Sequence, residues 1–174
     1  MQPNIVKSAM SYGLVLGVLF SVNFLLGLFN NVWLGLLGYF VTAAILVATY
    51  KMSVRFRDND CEGVISYGKA FSLIVQMFFF AAIISAFVKY IYFQFINPDI
   101  LESLLQQVLL MYETLSIPIT DELYEVVTAL LMPIPVTMLL ALSNLFLGVL
   151  TGIIMAIFIK KEKNLFDNKK EVQN

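Results

Sequence analysis

The chain has 174 residues, 60% of them apolar and 13% charged, against about 45–50% and 25% in soluble globular domains. That balance excludes an ordinary soluble domain, and a net charge of -1 gives no reason to expect nucleic acid as a partner. With no histidine and one cysteine, Cys61, there is no internal disulfide, no cysteine-based metal site and no Ser-His pair.

The length leaves room for four membrane spans and one modest extramembrane element, a single membrane domain over residues 1–163. The apolar run from about Ala9 to Phe29 is too long for the core of a signal peptide and has no small-x-small cleavage site after it, so it reads as a retained first span. Ala9, Gly13, Gly17 and Ser21 recur in it every four residues. They share one helix face and let another backbone come close. Asn30-Asn31 make a tight connection to a second span, about Val32 to Tyr50, anchored at the interface by Trp33.

From Lys51 to Lys69 the sequence turns polar, with Lys51, Arg55, Arg57 and Lys69 among acidic residues and Gly63 and Gly68 as breakers. This reads as a loop on the cytoplasmic side, since basic residues in short loops mark that side. Lys160, Lys161, Lys163, Lys169 and Lys170 follow the last span. Four spans put both clusters and both termini in the cytoplasm. Topological charge explains the loop without a nucleotide or headgroup site.

The third span, about Ala70 to Ile96, carries one formal charge, Lys89. Its length crosses a hydrocarbon core of ~30 Å with some tilt. Pro98 stops it, and Asn97 is expected to cap a new helix that starts at Pro98 with Asp99 in its first turn. Lys89 lies about two turns before that stop, beside Tyr90, Tyr92 and Phe93. The expectation is an interfacial lysine that snorkels to the membrane surface, rather than a buried functional cation.

Two amphipathic helices follow, about 98–115 and 120–132, the second capped by Thr120. Leu101, Leu104, Leu105, Val108 and Leu109 form one apolar face, and Val126, Val127, Leu130 and Leu131 the other. The two faces are expected to bury each other over the span ends, with the headgroup layer or a partner as alternatives. Lys89 then falls within reach of Asp99 or Glu102. Pro133 and Pro135 close the unit, and the last span, about Ile134 to Ile159, carries Asn144, Gly148, Gly152 and Ala156, again four apart. Antiparallel spans one and four put Ser21 opposite Asn144, Gly17 opposite Gly148, Gly13 opposite Gly152 and Ala9 opposite Ala156, with a homodimer seam as the competing use of these stripes. Residues 164–174 read as a disordered cytoplasmic tail.

Reactive chemistry is absent from the pattern. No HExxH or Gly-x-Ser-x-Gly occurs, and aspartate and glutamate are missing from the span interiors. No enzyme and no cofactor is expected. The polar residues inside the spans, Ser21, Asn23, Thr42, Gln76, Ser85, Thr137, Ser143, Asn144 and Thr151, suit interhelical hydrogen bonds and are few for a solute path.

Tyr12-Gly13-Leu14-Val15-Leu16-Gly17, Ile65-Ser66-Tyr67-Gly68-Lys69-Ala70-Phe71 and Tyr90 to Asp99 resemble the family known as domain of unknown function 4199, small bacterial membrane proteins. The acidic amphipathic segment and the glycine-bearing last span before Lys160-Lys161 extend the resemblance over nearly the whole chain. It implies a four-span bacterial inner-membrane protein and brings no catalytic residues.

The reading is an all-α integral membrane protein, with four transmembrane helices and an extracytoplasmic two-helix amphipathic hairpin between spans three and four. A structural or partner-binding role in the bacterial cytoplasmic membrane is expected. The partners are the lipid bilayer and a second copy or another membrane protein. The alternative is a small transporter or channel subunit acting as an oligomer.

Overall fold

The computed structural model describes residues 4–29 and 31–162. Asn30, Lys163, Lys169, Lys170 and the tail from 164 to 174 lie outside the described residues. Asn4 opens helix α1, Ile5–Gly27, where its Oδ1 accepts from the Lys7 N–H at 3.1 Å, satisfying a donor that has no partner within the helix. Asn31 does the same for α2, Val32–Asp60, accepting from the Trp33 N–H at 2.9 Å.

At 29 residues, α2 is about 44 Å long, well beyond a hydrocarbon core of ~30 Å. The segment from Lys51 to Asp60, expected as a loop, therefore continues the helix. The reason is local: no glycine or proline interrupts it before Gly63, and it has a core face, with Ser53 and Phe56 fully buried. Glu62 and Gly63 end it in the left-handed region, at φ 54° and 77°.

Helix α3, Tyr67–Ile91, is the centre of the bundle, with α1 against one side and α6, Pro133–Ile159, against the other. Its buried residues, Ala70, Leu73, Ile74, Met77, Phe78, Ala81, Ala82, Ser85 and Lys89, recur every three or four positions along one broad face. Both small-residue stripes serve α3. A Cβ at Gly13 would lie 2.6 Å from Phe80 Cβ and 2.9 Å from the Met77 carbonyl oxygen, and one at Gly17 2.8 Å from Ile84 Cβ. Gly148 is pressed against Phe78, and a Cβ at Gly152 would lie 3.1 Å from Phe71 Cδ2. Ala9 and Ala156 are fully buried, and Ser21 Oγ donates to the Gly17 carbonyl at 2.8 Å.

The expected pairing of Gly17 with Gly148 and Gly13 with Gly152 is thus replaced by two seams on α3. A glycine stripe is a groove, and a groove is filled by a ridge of bulky side chains. Two facing grooves would leave a void in an interior that packs close to crystal density.

One end of the bundle is closed by main-chain bonds. Ile65 and Lys161 exchange two N–H to carbonyl bonds of 3.0 Å, and Arg57 Nη1 donates to the last α6 carbonyl, Ile159, at 3.2 Å. Beneath these, Phe56, Ile65, Leu73, Ile74 and Met77 pack at 0–1% exposure.

At the opposite end α3 passes into a π-helical turn, Tyr92–Ile96, in which the Asn97 N–H reaches the Tyr92 carbonyl at 2.9 Å. Asn97 does not cap the next helix. It completes the π turn, and its Nδ2 donates to Tyr92 Oη at 3.3 Å, so Pro98 stands at the N-cap of α4, Asp99–Thr114. Helix α5, Asp121–Leu130, starts on the Thr120 hydroxyl, which accepts from the Leu123 N–H at 3.2 Å.

Helix α4 rests on the span ends through Ile100, Leu101 and Leu104, against Phe24, Phe93 and Val136. It closes only partly on α5. Leu101, Leu105, Thr128 and Leu131 border a cleft of about 310 Å³, and Val126 and Leu130 are 51% and 45% exposed. The expected burial of both apolar faces therefore holds for Leu101 and Val127 and fails for Val126 and Leu130.

Candidate functional site

Lys89 is the last member of the buried α3 stripe. Ser85 is one turn before it on the same face, so the helix itself turns the lysine toward the bundle. The side chain is 6% exposed and does not snorkel. Neither Asp99 nor Glu102 pairs with it, and the ion pair formed among the described residues is Arg57–Asp58, at 2.8 Å. Instead the ammonium stands over the Phe24 ring, 5.6 Å from its centroid. Phe24 is held by edge-to-face contacts with Tyr92 and Phe93, at 5.6 and 5.5 Å between centroids.

The lysine opens into a cavity of about 470 Å³ to which all four long helices contribute. Phe20, Asn23 and Phe24 come from α1, Thr42, Ile45 and Leu46 from α2, Phe78 from α3, and Asn144, Leu147 and Thr151 from α6. Among the described residues no carboxylate lines it. Asn23 Nδ2 donates to Thr42 Oγ1 at 3.3 Å, and Thr42 in turn donates to the Gly38 carbonyl at 3.0 Å, which ties α1 to α2. Asn144 Nδ2 is buried without a hydrogen-bond partner. Leu46 and Leu147 line the cavity and are also 41% and 50% exposed on the outer surface of the bundle. On its α2 and α6 sides the cavity is therefore walled by apolar residues that also reach the surface of the bundle.

A second space, about 920 Å³, lies under α4 between the end of α1 and Leu104 and Gln107. Asn23 and Phe24 border both spaces, so the Phe24 ring is part of the wall between them.

The charge in this cavity carries the argument. Burying an ammonium costs several kcal/mol even after relaxation, and a cation–π contact returns up to about 2 kcal/mol. Phe24 does not offset Lys89 alone. A buried, uncompensated cation that shares a largely apolar cavity with an unpaired amide donor is an arrangement suited to holding an acceptor-rich group.

Of the residues singled out in the sequence, Lys89, Asn23, Thr42, Asn144 and Thr151 line this cavity. Ala9, Gly13, Gly17, Ser21, Gly148, Gly152 and Ala156 lie along the faces of α1 and α6 buried in the bundle, and Asn97, Pro98 and Asp99 form the turn beyond it. Phe20 and Phe24 carry no signal of their own in an apolar span. The phase of Lys89 does. Counting back in threes and fours from it gives Ser85, Ala82 and Ala81, a stripe of small residues that marks the packed face, and then the buried Phe78.

Among the described residues no group of three or more His, Cys, Asp or Glu side chains is placed to hold a metal ion. No curated protein and no solved structure matches the chain. Residues 11–161 match the family described as protein of unknown function (DUF4199). That stretch runs from the second turn of α1 to the Lys161 bridge that closes the bundle, and the chain belongs to this family.

Proposed function

We propose that the protein is a non-enzymatic binding protein of the bacterial cytoplasmic membrane, holding a ligand in the cavity beneath Lys89. Both termini are cytoplasmic in this reading, and α4 and α5 are on the outer side. The basic residues of the α2 extension and of the segment after α6 support that orientation. The observation that carries the proposal is Lys89 itself, a residue 6% exposed that faces a space shared by four spans, with no carboxylate among the described residues that line it.

A solute pathway is supported less well. The tightly packed layer of Phe56, Leu73, Ile74 and Met77 would have to open to connect the cavity with the opposite end. A second copy or another membrane protein is the second reading, and the exposed Val126 and Leu130 on α5 support it.

Mass spectrometry of the intact protein, released gently from native membranes, tests the binding role. The wild type is expected to carry a small molecule that Asn144→Phe, which fills the cavity, has lost, whereas Leu150→Trp on the exposed face of α6 keeps it. Equal loads on all three proteins would defeat the proposal.

A further inference from the structure

Resting on that binding reading, we infer that the ligand is a single-chain anionic amphiphile, its headgroup on Lys89 and its chain in the cleft between α2 and α6. Three observations converge on that class. First, the described residues that line the cavity bring one positive charge and no negative one, so the group that neutralises it is an anion. A neutral or cationic headgroup would leave the burial cost of the ammonium in place.

Second, Asn144 Nδ2, a buried donor with no partner, lines the same cavity as Lys89. A carboxylate or a phosphate accepts from both, and such charge-assisted bonds are about twice as strong as neutral ones. Apolar lining comes from Phe20, Ile45, Leu46, Leu147 and Phe78, the last of these eleven residues before Lys89 on the same helix. That separation gives the tail a path of about 16 Å.

Third, the cavity is bordered on its α2 and α6 sides by Leu46 and Leu147, which also reach the apolar surface of the bundle. A ligand arriving there comes out of the bilayer, with no need to cross a polar mouth. At about 470 Å³ the space falls within the ~300–1,000 Å³ usual for sites that take one small ligand.

The test uses the full-length protein in phosphatidylcholine nanodiscs and a dansyl-labelled undecanoate as the probe. The wild type is expected to bind it saturably, and Lys89→Met to weaken it by about tenfold or more, the loss of one hydrogen bond to a charged group. Lys89→Arg should restore most of the affinity. Dodecanoate and dodecyl phosphate, added as competitors, tell which anion is preferred, and displacement by either supports the inference. If dodecanol or dodecylamine displaces the probe as well as dodecanoate, and Lys89→Met binds like the wild type while Asn144→Phe does not, the anionic class is wrong and the cavity reading survives. If Asn144→Phe also binds like the wild type, the cavity reading falls with it. Gel filtration of every variant shows that the fold is intact before its affinity is compared.

Discussion

The Lys89 ammonium stands 5.6 Å from the centroid of the Phe24 ring, and that ring packs edge-to-face with both Tyr92 and Phe93. The lysine is thus held by a wall that the π turn positions, since Tyr92 and Phe93 are its first two residues. Single π turns inside α-helices are found frequently at functional sites. Here the turn follows directly on the helix that delivers the charge.

Lys89→Met follows from the uncompensated burial. In protein stripped of bound lipid, an apolar side chain of similar length removes a desolvated charge, so stability should stay level or rise by about 1 kcal/mol or more. Thermal unfolding in detergent measures it. A loss of several kcal/mol would mean that the charge has a partner in the fold and is structural.

The two glycine seams on α3 give a sharper contrast. Gly148→Leu and Gly13→Leu drive a side chain into Phe78 and into the Met77 carbonyl, where the backbones must move apart, and overpacking of this kind costs about 1–3 kcal/mol or more. Gly35 meets nothing within 4 Å, and Gly35→Ala should stabilise α2 by about 0.5–1 kcal/mol through backbone entropy alone. Unfolding midpoints of the three variants decide it.

Much of this architecture is legible in the sequence, and the parts that are not share a cause. Apolar runs bounded by Asn4, Asn31 and Pro133 announce the long helices, and Thr120 announces the start of α5. Which face of a uniformly apolar helix turns inward is another matter. Span faces differ little in hydrophobicity when lipid is the solvent, so a stripe of glycines says that something comes close without saying what. The Gly17 and Gly148 stripes match each other in register and still pack on α3. Lys89 was misjudged for a related reason: its distance from the span end allows snorkelling, while its phase with Ser85 and Ala82 does not. The α2 extension escaped because charge composition outweighs helix propensity in reading a loop, although nothing from Lys51 to Asp60 breaks a helix.

The α4–α5 end has one buried contact and one open face. Leu101, at 9% exposure, packs with Phe93 and Val136, so Leu101→Glu should cost several kcal/mol by burying an unpaired charge. Val126, at 51%, should accept Glu within about 0.5 kcal/mol. Equal unfolding midpoints for Leu101→Glu and Val126→Glu would mean that α4 is not docked on the span ends.

The proposed orientation is checked with a reporter that is active only in the periplasm. Fused after Asn174 it should be silent, and inserted at Ile117, between α4 and α5, it should be active. The opposite pattern would put the Lys89 cavity in the cytoplasmic half of the bilayer.

The most direct measurement is a density map of the full-length protein in native lipid, at a resolution that shows side chains. The account predicts elongated density between Leu46 and Leu147, ending within hydrogen-bond distance of Lys89 Nζ and Asn144. A map in which Lys89 extends past Phe24 to the membrane surface, with α2 and α6 closed over an empty or collapsed cavity, would contradict it.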